Sequence, residues 1–259
     1  MSSPGTVRMQ ASGVTLRFGG VRALDDVSME VRAGELLAVI GPNGAGKSSL
    51  MNCLSGFYRP QTGRISLQGQ DIARLKTHEI ARAGVARSFQ HANLLAQLTV
   101  LECLMIGRHA RMRSGIVQAF LHGGAARFEE DRHRERAEEI LEFLDLQALR
   151  HRPLGTLGYG LRKRVDLGRA LAMEPSVLLM DEPMAGMNAA EKEALARCIQ
   201  EVRQRHDIAL VLVEHDMGIV MEMAERVVVL DFGRKIADGP AAEVQADARV
   251  VDAYLGKGS

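Results

Sequence analysis

The run Gly41-Pro42-Asn43-Gly44-Ala45-Gly46-Lys47-Ser48-Ser49 carries the spacing G-x-x-x-x-G-K-[ST]. Glycines in such a run permit positive φ and a close backbone approach, so successive N–H groups can face phosphate oxygens. A helix opening at the end of the run adds the positive end of its dipole. In this chemistry Lys47 reaches the β- and γ-phosphates and the Ser48 hydroxyl ligates Mg²⁺. The setting is the one the mechanism needs. Leu36 to Ile40 is a continuous apolar stretch that reads as a buried strand, and Ser48 to Leu54 reads as a helix stopped by Gly56. These residues point to a nucleoside triphosphate held with Mg²⁺.

A second group completes that chemistry. The apolar run Val177 to Met180 ends in Asp181 and Glu182. A buried strand delivering carboxylates at its C-terminal edge places them where parallel sheets bind ligands. Because neighbouring strand side chains point to opposite faces, the two acids are expected to separate in role. Asp181 is assigned to the Mg²⁺ shell and Glu182 to polarising the attacking water.

The elements that must position these groups are legible in outline. Val14, Leu16 and Phe18, then Val27, Met29 and Val31, alternate with polar residues in the period of half-buried antiparallel strands, and Arg64 to Gln70 follows a turn as another. From about Ala92 to Gly168 the pattern is mostly helical; Ala137, Ile140, Leu141 and Leu144 define one apolar face. The stretch from His109 to Arg136 mixes basic residues with an apolar patch at Ile116 to Leu121, read as a packed helix or connection, or else as a partner contact. Strand and helix then alternate to the end: Ile208 to Val213 is a buried strand, Arg226 to Leu230 another, and Asp231-Phe232-Gly233-Arg234 a hairpin turn. The fold class expected is α/β: a parallel sheet covered on both faces, with an antiparallel β subdomain and a helical insertion. All of residues 1–259 form one domain, with 1–91 and 169–259 as core and β subdomain and 92–168 as the insertion.

Composition excludes several alternatives. Thirty-three Lys and Arg stand against 32 Asp and Glu, a formal charge of +1, and tryptophan is absent. Neither a basic stripe nor a base-stacking platform for nucleic acid is present. Cys53, Cys103 and Cys198 show no metal or disulfide spacing and read as small apolar residues. The start of the chain lacks an apolar segment suited to a signal peptide, and no apolar run is long enough to span a bilayer. A GTPase or kinase reading fails for want of an Asn-Lys-x-Asp motif.

On these motifs the chain resembles the ATPases of ABC transporters over nearly its whole length. The resemblance implies that Gln90 meets Mg²⁺ and water, that His215 contacts the γ-phosphate and that Phe18 stacks on adenine. It also implies that Leu157-Gly158-Tyr159-Gly160-Leu161 is the signature, which caps ATP bound by another subunit. That signature departs from the usual Leu-Ser-Gly-Gly-Gln: Gly158 removes a hydroxyl and Leu161 an amide, while backbone N–H groups remain. Several stretches are similar to ATPase subunits of branched-chain amino-acid importers, among them Phe18 to Leu24, Met180 to Asn188, Val213 to Met217 and Asp247 to Gly256. This implies ATP and Mg²⁺ as cofactors, a head-to-tail dimer with a second ATPase subunit or with itself, membrane permeases, an external binding protein, and a cytoplasmic, peripheral place on the inner face of the membrane. An ABC ATPase for another cargo (an amide, urea or a lipid) and an ATP-gated clamp with little turnover are the alternatives. Asn188 and Glu191 also have the spacing of a helix capping box.

Overall fold

The computed structural model describes residues 5–88, 95–109, 111, 123–205 and 207–255, with backbone alone for 123–129 and 255. The chain opens with β1 (Val7–Phe18) and β2 (Val21–Arg32), whose alternating residues Met9, Ala11, Val14, Leu16, Leu24, Val27, Met29 and Val31 are all buried. After β3 (Leu36–Ile40) and α1 (Lys47–Leu54), β4 (Thr62–Leu67) and β5 (Gln70–Asp71) complete an antiparallel sheet in the order β2-β1-β4-β5. Then come α2 (Thr77–Ala83) and β6 (Val85–Arg87), followed by α3 (Val100–His109), α4 (Gly123–Phe143) and α5 (Tyr159–Leu171). The last third runs β7 (Val177–Asp181), α6 (Ala189–Arg205), β8 (Ala209–Val213), α7 (Met217–Met223), β9 (Arg226–Asp231), β10 (Arg234–Pro240), α8 (Ala241–Ala246) and α9 (Ala248–Leu255).

The second sheet has the order β10-β9-β3-β8-β7-β6. All its pairs are parallel except β9 with β10. Its inner strands read as unbroken apolar runs because both faces are covered. Leu36, Ala38 and Ile40 of β3 join one core with α3 to α7, whereas Leu37 and Val39 join the other with α1 and the antiparallel sheet. The same period of two sends Leu178 and Met180 one way and Val177 and Leu179 the other. β3 therefore lies between the two cores, and the loop leaving it starts from a strand buried on both faces.

The helical face read from Ala137, Ile140, Leu141 and Leu144 packs into the first core. The expected division at 168/169 falls inside α5, one continuous helix whose last turns are buried against α3 and α4. Apolar periodicity marks where the helix runs, and a continuous helix carries no break to read. The patch at Ile116 to Leu121 lies outside the described residues. Burial pushes the thiols of Cys53 and Cys103 up, to about 12 and about 11, so both stay protonated apolar fillers.

The crossing of α3 and α5 depends on one absent side chain. A Cβ on Gly107 would stand 2.2 Å from the Arg169 carbonyl oxygen and 3.0 Å from the Ala172 Cβ. Gly107→Ala must push the helices apart at a cost of about 1–3 kcal/mol. A clearly lower Tm in thermal melting is expected; an unchanged Tm would mean that the helices do not pack this closely.

Candidate active site

The glycine loop between β3 and α1 is shaped by how closely other backbone presses on it. Gly41 has φ 147°, and a Cβ there would lie 2.0 Å from the Leu230 carbonyl oxygen. Gly46 has φ 104°, and its Cβ would meet the Ala23 carbonyl at 2.6 Å. No other residue fits at either position. The Gly233 N–H donates to the Ala45 carbonyl at 2.9 Å, fastening the β9–β10 turn to the loop. α1 then opens at Lys47, with Ser48 exposed at its first turn. Lys47 is buried, and its ammonium donates to the carbonyls of Gly41 (2.7 Å) and Pro42 (2.9 Å). A phosphate arriving at the loop offers that ammonium a charged acceptor in place of neutral ones. Residues 43–49 line a cleft of about 390 Å³, together with Glu182, His215, Val21, Arg22, Ala23 and Phe232. Two larger clefts, of about 670 and 650 Å³, lie away from this loop and hold none of its residues.

Asp181 ends β7 and is 3 % exposed. Its Oδ2 accepts from Arg87 at 2.8 Å, while Oδ1 is buried with no hydrogen-bond partner among the described residues. An orphaned carboxylate oxygen is costly to bury, and a hard cation is what would satisfy it. Arg87 also donates to the Asn52 side chain at 2.6 Å, which ties β6 and β7 to α1.

Glu182 differs from the strand-alternation reading. It lies beyond β7, with φ 49°, and its N–H donates to the Val213 carbonyl at 2.9 Å. The two acids are parted by a left-handed bend rather than by the pleat alone. A positive φ is uncommon for a residue with a Cβ and is met most often where function holds it. The bend brings Glu182 Oε1 to 2.7 Å from His215 Nε2, so the expected general base and the expected γ-phosphate contact meet in one hydrogen bond.

Sequence reasoning passed over two residues here. Glu214, next to His215, is buried, and burial raises its pKa. It accepts from the Met184 N–H at 2.9 Å and so staples the loop after Glu182 to the end of β8. Its place before His215 was the available signal. For Arg87, a lone charge ending a short apolar run, nothing local names the partner. Phe18 does not line the cleft. It is half-exposed at the tip of the β1–β2 hairpin, with its ring edge-on to Tyr58 at 5.1 Å. Gln90 lies outside the described residues, two positions past Ser88, whose N–H donates to the Leu179 carbonyl beside β7.

The segment Leu157 to Leu161 stands apart from this cleft, at the start of α5. Gly158 is the N-cap, in extended conformation and without a side-chain capping bond, and a Cβ on it would meet nothing within 4 Å. The backbone N–H groups expected to remain available are not all so: Gly160 donates to Glu191 Oε1 at 3.2 Å. Glu191 Oε2 accepts from the Asn188 N–H at 3.1 Å, and the Asn188 side chain accepts from the Glu191 N–H at 3.0 Å, which is the expected capping box. The Tyr159 ring also lies against Gly186. The start of α5 is thereby braced to the loop that follows Glu182.

Comparison with known proteins agrees with this layout. Residues 24–185 match the family model described as ABC transporter, and 234–259 match that of the branched-chain amino acid ATP-binding cassette transporter. The chain is 37 % identical over 249 residues to the high-affinity branched-chain amino acid transport ATP-binding protein BraF of Pseudomonas aeruginosa, covering 96 % of this chain and 98 % of that protein. To LivG of Escherichia coli, which carries the same description, it is 36 % identical over 249 residues, covering 96 % and 98 %. Among solved structures, a nucleotide-free ATP-binding cassette from an ABC transporter superposes with a TM-score of 0.85 at 32 % identity, covering 97 % of this chain and 100 % of that one. A cassette in its ADP conformation gives 0.85 at 33 %, covering 97 % and 99 %. A glycine loop closed around Lys47, a carboxylate pair at the edge of β7 and relatives along almost the full length place this chain in the ABC transporter family, among its ATP-binding cassettes.

Proposed function

We propose that the chain is the MgATP-hydrolysing subunit of a branched-chain amino-acid importer. The observation that carries the reading is the cleft itself, where the glycine loop, Lys47, Glu182 and His215 face one space beside the buried Asp181. The cargo comes from the relatives, whose names specify branched-chain amino acid transport and which match along nearly their whole length. No helix among the described residues is long and apolar enough to cross a membrane, and the reading assigns that passage to permease subunits. An external binding protein and a place at the inner face of the membrane complete it.

In this reading Lys47 turns from its own loop carbonyls to the β- and γ-phosphates, and the loop N–H groups, apart from that of Ala45, which donates to the Pro42 carbonyl, cradle their oxygens. Ser48, Asp181 and Gln90 would hold Mg²⁺, which neutralises charge between those phosphates; the orphaned Asp181 Oδ1 fits such a partner. Glu182 takes the proton of the attacking water, and His215, already bonded to it, orients it towards the γ-phosphate. The nucleotide is closed over by residues 157–161 of a second subunit, this chain or another ATPase, so that binding and hydrolysis close and reopen the pair.

Three outcomes test the reading. Glu182→Gln keeps ATP binding and lowers hydrolysis by roughly 10²- to 10⁴-fold in a steady-state phosphate-release assay; turnover within a few-fold of wild type removes Glu182 from the role of base. Lys47→Ala abolishes most of the rise in Tm that MgATP produces, because a charge on the phosphates is lost. An equal rise in mutant and wild type would sink the whole assignment. Gly158→Ser places a hydroxyl in open space at the N-cap, which restores a hydrogen bond to phosphate and raises the turnover of the isolated protein. Equal rates for mutant and wild type over a range of protein concentrations would show that the missing hydroxyl does not limit closure.

A further inference from the structure

The β9–β10 turn combines an uncommon backbone geometry with an exposed aromatic ring. Its central residues are Phe232 and Gly233, with φ 43° and 78°. Positive φ at both positions is the type I′ geometry, which favours Asn-Gly or Asp-Gly and gives a phenylalanine no advantage. Yet Phe232 stands there 73 % exposed, the most exposed large apolar side chain among the described residues. An apolar residue kept in an unfavourable backbone conformation and presented to solvent is a candidate for a contact made with something else.

Sheet order indicates what that contact is. The glycine loop leaves β3, with β8 and β7 on one side and β9 and β10 on the other. Glu182 and His215 follow β7 and β8, so they flank the loop on the first side. The Phe232 turn ends β9 and flanks it on the second, held against the loop by the Gly233 to Ala45 hydrogen bond. β9 runs parallel to β3, so the turn emerges at the same edge of the sheet as the loop. The cleft is thus bordered by Glu182 and His215 on one side and by Phe232, Val21, Arg22 and Ala23 on the other. A nucleotide whose γ-phosphate meets Glu182 must run its nucleoside towards Phe232.

We propose that Phe232 is a nucleotide-binding residue, its ring forming the wall against which the base of the bound nucleotide rests. The proposal rests on the glycine loop holding the phosphates, as set out above. Phe18, at the tip of the neighbouring hairpin, is not displaced by it: β2 begins at Val21 of the same wall, and two aromatics can border one base. Any purine has the π-face such a contact uses, so Phe232 contributes affinity for the base rather than a choice between bases.

Calorimetry of the isolated protein with MgADP and with magnesium pyrophosphate separates base from phosphates, without hydrolysis. Phe232→Asn supplies the residue that the turn prefers, so its Tm without ligand should equal or exceed that of wild type. MgADP should bind it about ten- to a hundred-fold more weakly, with pyrophosphate affinity unchanged, and Phe232→Tyr should restore MgADP binding. A structural role for the ring would move Tm down instead. Wild-type affinity for MgADP in Phe232→Asn, or an equal loss for both ligands, would overturn the proposal and leave the phosphate site standing. Wild-type protein that binds neither ligand would overturn the phosphate site and the proposal together.

Discussion

Everything at this site depends on how little room is left around the loop that follows β3. The Leu230 and Ala23 carbonyls press on Gly41 and Gly46 from two strands, and Gly233 bonds to Ala45 from a third position. A loop gripped by backbone on several sides holds its N–H groups in place before any phosphate arrives. Ordering is then part of folding and is not charged to binding. The grip also explains why the two cores matter: β3 lies in the centre of the sheet and contributes alternate residues to each. Loosening either core moves the loop.

The carboxylate side of the cleft is held by charge rather than by shape. Asp181 is buried against Arg87, and Glu214 is buried against backbone N–H groups, with its pKa raised by burial. Glu182 alone of these three reaches the cleft, on a left-handed bend fixed at one end by Val213 and beyond it by Glu214. A hydrogen bond to a charged group contributes about 1.5–3 kcal/mol, so several together can hold an uncommon backbone conformation. The result is one carboxylate facing the space and two that support it.

The braced start of α5 joins two functions along a short path. Glu191 links Gly160 to Asn188, and Asn188 lies six residues past Glu182. In the dimer reading, the segment presented to a second subunit's nucleotide is hydrogen-bonded to the loop carrying this chain's own base. That loop is pinned at Met184 and Asn188. The same bond places a carboxylate at the positive end of α5, where it satisfies an N–H that would otherwise face solvent.

The primary sequence by itself determined the elements and the chemistry. Glycine spacing, an apolar strand ending in Asp181, and the turn at Asp231 to Arg234 follow from local rules of φ, period and polarity, and each lies where those rules put it. The capping box at Asn188 was legible for the same reason, since its partners are three residues apart. What only tertiary structure decided is long-range. Arg87 meets Asp181 from 94 positions away, Glu191 reaches Gly160 from 31, and the Phe232 turn lands beside a loop nearly two hundred residues earlier. Even Glu182, read correctly as a group distinct from Asp181, owes its direction to a bend that Val213 and Glu214 impose from another strand. Periodicity reports which face of its own element a residue occupies; it carries no record of which element the fold will bring against that face.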